Sequence, residues 1–82
     1  SFVAFFSSSS TIKAAFVTSK KVGNAVNRNK ARRRMRALFA SYEKQLLIGN
    51  YIFVAKIELH EKNFLQLKKD FDFALKRLEV LK

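Results

Sequence analysis

The residues best equipped for chemistry lie between Lys20 and Arg36. There Lys20, Lys21, Arg28, Lys30, Arg32, Arg33, Arg34 and Arg36 occur with no carboxylate among them. A planar guanidinium forks onto two phosphate oxygens, so an arginine cluster favours a phosphodiester backbone over a diffuse anionic surface. Arg28, Arg32 and Arg36 recur every four residues and become axial neighbours on a helix. Like charges at that spacing oppose helix formation, and a face that serves only solubility intersperses both signs. The pattern therefore calls for a polyanion that neutralises it. Asn24, Asn27 and Asn29 add amide groups suited to sugar hydroxyls and base edges. Gly23 allows a sharp turn after Lys20 and Lys21, so the two lysines extend one phosphate-binding track to the helix N-terminus.

Catalysis by protein side chains has little to draw on. The chain has no cysteine and a single histidine, which excludes a thiolate nucleophile, a disulfide framework and a histidine metal cluster. His60 stands alone at a strand-to-helix boundary, where a cap or solvent role suits it. Asp70 and Asp72 are two residues apart on a helical segment and face different directions. General acid–base chemistry needs titratable groups that converge in a pocket. The sequence thus offers no catalytic residues and no metal ligands. Its second resource is aromatic. Phe2, Phe5, Phe6 and Phe16 lie on two short runs that are apolar on both sides. One side packs on helices; the other is either covered or forms a stacking platform for unpaired bases.

One small domain over residues 1–82 must position these groups. The net charge of +11 is uneven: residues 1–42 carry nine cations and no acid, and residues 43–82 carry eight cations against six acids. The longest apolar runs, such as Tyr51–Ala55, fall far short of the roughly 20 residues of a membrane span. The opening Ser-Phe-Val-Ala-Phe-Phe has no basic region of the kind that starts a signal peptide, and a cytoplasmic setting is expected.

Phe2–Phe6 and Ile12–Ser19 read as strands joined by the polar linker Ser7–Thr11, and a hairpin is their simplest pairing. From Asn24 the period becomes helical, with Ala31, Met35, Leu38, Phe39, Tyr42 and Leu46 on one apolar stripe. Lys30, Arg32, Arg33 and Arg36 lie away from that stripe, and Arg34 lies at its edge. Gly49-Asn50 is expected to end the helix. Tyr51–Leu59 reads as a third strand with Tyr51, Phe53, Ala55, Ile57 and Leu59 on one face. A second helix is expected from about Asn63 to Leu81, started by an Asn63/Gln66 cap. Its buried stripe is Phe64, Leu67, Phe71, Ala74, Leu75 and Leu78, with Phe73 off the stripe and exposed. The order β-β-α-β-α describes an α+β fold, a small two-layer sandwich of helices on a sheet.

The stretch Ser19 to Arg36, SKKVGNAVNRNKARRRMR, closely resembles the signature of the bacterial ribonuclease P protein family, S-K-K-[VI]-G-N-A-V-x-R-N-[RK]-x-[KR]-R-x-[ILM]-R. The resemblance extends over nearly the whole chain from Phe2. It implies a small α/β sandwich whose arginine-rich helix sits in a left-handed β-α-β crossover, against the usual right-handed rule. It also implies that Arg28, Asn29, Lys30, Arg32, Arg33 and Arg36, with Lys20, Lys21 and Asn24 beside them, contact a catalytic RNA subunit. A cleft between the helix region and the sheet would hold the single-stranded 5′ leader of precursor tRNA, with Phe2, Phe5, Phe6 and Phe16 as its stacking candidates. The complex would hydrolyse one phosphodiester to leave a mature tRNA 5′ end. The chemistry would belong to the RNA and its bound Mg²⁺, with no cofactor on the protein, no membrane and no obligate protein partner.

Two departures stand out. The family usually begins with an amphipathic helix, often with a further short strand, before the position matching Phe2, so this chain is expected to be short by that helix. Arg34 occupies a position often apolar in the family and is expected to widen the basic face. The rival reading is a non-catalytic basic RNA-binding module such as a small ribosomal protein. DNA binding ranks lower, because no two-helix recognition unit precedes the basic helix. A membrane-surface helix ranks lower too, because the apolar stripe is needed for the core.

Overall fold

The computed structural model describes residues 2–18 and 23–82, and of Ile57 and Glu58 the backbone alone. Three strands, β1 (Phe2–Ser8), β2 (Lys13–Thr18) and β3 (Gly49–Ala55), form one sheet. Two helices, α1 (Ala25–Tyr42) and α2 (Phe64–Leu78), accompany it in the order β-β-α-β-α. This is the small α+β architecture expected from the pattern.

The sheet order is β1-β3-β2, so the expected hairpin does not form. β3 lies between the first two strands, antiparallel to β1 (Phe2 opposite Ala55) and parallel to β2 (Phe16 opposite Phe53). The four residues between Ser8 and Lys13 reach about 13 Å when extended. Two strand spacings need only about 10 Å, so a linker of this length serves a hairpin or a hop over one strand. Packing decides between them. In the middle of the sheet the fully buried Phe53 ring lies 5.7 Å from Phe16 on one side and 6.2 Å from Phe2 on the other. At an edge it would lose one of those neighbours. The parallel pairing of β2 with β3 requires a crossover, and α1 supplies it.

The core lies between one sheet face and the helices. Ala31, Met35, Leu38, Phe39 and Tyr42 of α1 face Tyr51, Phe53 and Ala55 of β3, with Leu67, Phe71 and Leu75 from α2. The predicted apolar stripe of α1 is therefore buried along its length. The helix itself stops at Tyr42 and passes into a 3-10 turn at Glu43–Gln45, short of Gly49-Asn50. Leu46 remains buried because it bridges to Leu81, and the Leu47 N–H donates to the Val80 carbonyl at 2.8 Å. Gly49 opens β3 rather than ending a helix. A Cβ there would run into the Phe6 ring and the Ser7 carbonyl.

β3 ends at Ala55, and the segment predicted to continue it turns into a 3-10 helix, Ile57–Glu61, which still buries Leu59. α2 begins with the predicted cap in full. The Gln66 N–H donates to the Asn63 side-chain oxygen, and the Asn63 N–H donates to the Gln66 side-chain oxygen, both at 2.9 Å. Its end comes at Leu78, where Glu79 adopts the left-handed conformation (φ 58°), and the tail returns to bridge Leu46 through Leu81. Phe64 is half exposed instead of buried, because the whole first turn, Asn63 through Gln66, stands in solvent. Phe73 is exposed, as its place off the stripe implied.

Candidate nucleic-acid interface

Helix α1 divides cleanly into two sides. The buried stripe anchors it on β2 and β3, and the opposite side carries the cations. Its start is set by Asn24, whose side-chain oxygen accepts from the Asn27 N–H at 3.0 Å. Gly23 holds φ +124°, and a Cβ there would crowd the Asn27 side chain, so the turn into the helix needs glycine. No acidic residue occupies the first turn, leaving the positive end of the helix dipole uncompensated by the chain itself.

Lys30, Arg33 and Arg36 stand exposed on α1, as do Asn24 and Asn29, while Arg28 and Arg32 are half buried. Val26, Asn29, Arg32, Arg33 and Arg36 line a shallow groove along this side. Two of the cations are held by neighbours. Arg32 donates from Nη1 to the Thr18 hydroxyl at 3.1 Å and from Nη2 to the Asn29 side-chain oxygen. The Arg36 guanidinium sits 5.6 Å above the Phe16 ring, within cation–π range. Lys20 and Lys21 lie outside the described residues.

Arg34 departs from expectation. It does not widen the basic face, but turns inward and donates to the carbonyls of Leu59 (3.2 Å) and Lys62. These carbonyls lie at the end of the 3-10 segment that leads into α2. A long side chain at the edge of the stripe can reach inward, where the Lys62 carbonyl and the second lone pair of the Leu59 carbonyl, which also accepts from the Lys62 N–H at 3.4 Å, receive it.

The four phenylalanines divide. Phe2, Phe6 and Phe16 lie on the helix-facing side of the sheet, half buried against the core. Phe2 is 5.4 Å from Phe71, and Phe6 is 4.9 Å from Tyr51. Phe5 alone points to the other side, where it is 54% exposed. The strand period of two dictates this split, since Phe2, Ala4 and Phe6 share a face and Phe5 cannot. On that outer side the register puts Phe5, Ile52 and Ala15 in one row and Val3, Val54 and Val17 in the next. Val17 and Ile52 are themselves exposed. The sequence showed the alternation within each strand, but not that these rows adjoin.

The titratable groups that shift lie elsewhere. The Tyr42 hydroxyl donates to the Asp72 carboxylate at 3.2 Å, and Lys76 pairs with the same carboxylate at 2.9 Å. Burial, and then Asp72, pushes the Tyr42 phenol up, and burial does the same to Tyr51. The Lys76 contact, with a smaller contribution from Tyr42, holds Asp72 below its ordinary value against the opposing effect of desolvation. Among the described residues, no three His, Cys, Asp or Glu side chains gather where they could hold a metal ion. No described helix is long and apolar enough to cross a membrane.

Residues 1–79 match the family model described as Ribonuclease P. The chain belongs to the ribonuclease P protein family. Among curated members, the ribonuclease P protein component of a Nitratiruptor species is 42% identical over 78 residues, covering 95% of this chain and 72% of that protein. The component from Paramagnetospirillum magneticum is 37% identical over 73 residues, which are 87% of this chain and 55% of its own length. The chain thus spans between half and three quarters of these two family members. Its fold is that of the Staphylococcus aureus RNase P protein, with a TM-score of 0.87 at 27% identity, covering 99% of this chain and 77% of that one.

Proposed function

We propose that this chain acts as the protein subunit of ribonuclease P, binding the catalytic RNA and the 5′ leader of precursor tRNA in the cytoplasm. The observation that carries the reading is the one-sign face of α1, where Lys30, Arg33 and Arg36 stand exposed on a helix that contains no acid. In a member of this family, RNA phosphates are the natural counter-charge. Arg28, Asn29, Lys30, Arg32, Arg33 and Arg36, with Asn24 and the lysines Lys20 and Lys21, are assigned to that contact.

The outer sheet face is assigned to the leader. Phe5 offers an exposed ring for an unpaired base, with Ile52 beside it and Ala15 beyond Ile52 in the same row. Phe2, Phe6 and Phe16 support the sheet from behind, and Phe16 also carries the Arg36 guanidinium. In this scheme the protein supplies substrate affinity and the RNA performs the hydrolysis. Mg²⁺ bound by the RNA would supply the charge stabilisation that phosphodiester hydrolysis needs, and no residue of this chain is assigned to hold it.

Reconstitution tests the reading. The full-length protein is added to a bacterial ribonuclease P RNA at low Mg²⁺, and cleavage of precursor tRNA is followed. Rescue of cleavage is expected, together with no cleavage by rigorously RNA-free protein. RNA binding without rescue would favour a plain binding module. Cleavage by the protein alone would overturn the assignment of chemistry to the RNA.

A further inference from the structure

Arg32 differs from the exposed cations around it because it is tethered from two elements. Thr18, the last residue of β2, accepts from its Nη1, and Asn29, one turn earlier on α1, accepts from its Nη2. Both acceptors are neutral, so neither offsets the positive charge of Arg32. One comes from the sheet and one from the helix, which orients the guanidinium plane relative to both. An unrestrained arginine gives up rotamer freedom when it grips a phosphate, whereas one already oriented gives up less.

We infer that Thr18 is a positioning residue for RNA binding. Together with Asn29 it holds Arg32 by two of its N–H groups, leaving the others for one RNA phosphate at the groove lined by Arg33 and Arg36. This rests on the reading of α1 as the RNA-binding face. Thr18 makes no ionic contact of its own, so it adds affinity without adding to the number of phosphates neutralised. Salt dependence separates those two effects, because its slope counts phosphate contacts.

The test is RNA binding by the full-length protein across a salt series. Thr18→Val keeps the shape and the strand preference and removes the acceptor. It is expected to weaken binding to the ribonuclease P RNA about three- to tenfold, the range of one hydrogen bond, with the slope unchanged. Thr18→Ala should show the same loss, which guards against a packing effect of valine, and Thr18→Ser should restore affinity. In an Arg32→Ala background, Thr18→Val should have no further effect. Wild-type affinity in both Thr18→Val and Thr18→Ala would overturn the inference, as would an undiminished loss in the Arg32→Ala background. Arg33→Ala serves as the control. If it weakens binding and lowers the slope while the Thr18 variants bind normally, only the positioning role fails. If wild type itself shows no salt-dependent binding, the phosphate-face reading fails.

Discussion

At the residue scale, two adjacent arginines have opposite tasks. Arg33 is exposed on the basic face, and Arg34 is turned into the protein to satisfy the carbonyls of Leu59 and Lys62. Both count equally toward the net charge of +11, yet only one is available to a polyanion. Arg33→Ala with Arg36→Ala should lower the log–log salt slope of RNA binding by about 0.7–0.9 for each phosphate no longer neutralised, with little change in melting temperature. Arg34→Ala should do the reverse. Losing its two charge-assisted hydrogen bonds to backbone carbonyls costs about 1–3 kcal/mol of stability, seen as a lower melting temperature with the slope preserved. Composition and periodicity placed Arg34 at the edge of the stripe. They could not say which way it turned, because its acceptors lie 25 and 28 residues away in sequence.

At the element scale, α2 shows how much of a helix is written locally. Its start depends on residues three apart that satisfy each other's backbone N–H groups, and Asn63 and Gln66 do this as their types required. Asn63→Ala should cost about 1 kcal/mol, measurable as a shift in urea midpoint at constant slope. The middle of α2 is tied to α1 through Tyr42, Asp72 and Lys76. Asp72 has a folded-state pKa below its ordinary value of 3.8. The stabilisation from its ionised form is therefore fully present above that ordinary value and is lost as the pH falls through the lower folded value. The difference in melting temperature between wild type and Asp72→Asn should hold steady at neutral pH and shrink in that acid range. A gap that stayed constant through acid would show that the carboxylate charge does not matter. The end of α1 was less legible. Leu46 obeys the helical period yet lies beyond the helix, buried by the returning tail at Val80 and Leu81, so period alone overran the true boundary.

At the scale of the whole molecule, the sheet and both helices converge on Phe53. Its ring is fully buried and contacts Phe2, Phe16, Phe39, Tyr51 and Phe71. Phe53→Ala should cost about 3–5 kcal/mol, a large part of the roughly 5–15 kcal/mol typical of a folded domain. Extensive unfolding at 37 °C by circular dichroism is the expected result. RNA binding should fall with it, because α1 holds its cations outward only while its stripe is packed on the sheet.

By itself the sequence determined the order of elements, the stripe that α1 buries, the cap that starts α2 and the location of the basic face. Each of these depends on residues close together in the chain, or on a spacing that a helix or strand converts directly into a face. The tertiary structure alone decided that β3 lies between β1 and β2, that Phe5 rather than Phe2, Phe6 or Phe16 is presented on the outer sheet face, and that Arg34 serves the core. It also brought Thr18 to Arg32. These outcomes depend on which distant segments meet. A linker compatible with two sheet orders and a guanidinium able to reach either way leave that choice to packing.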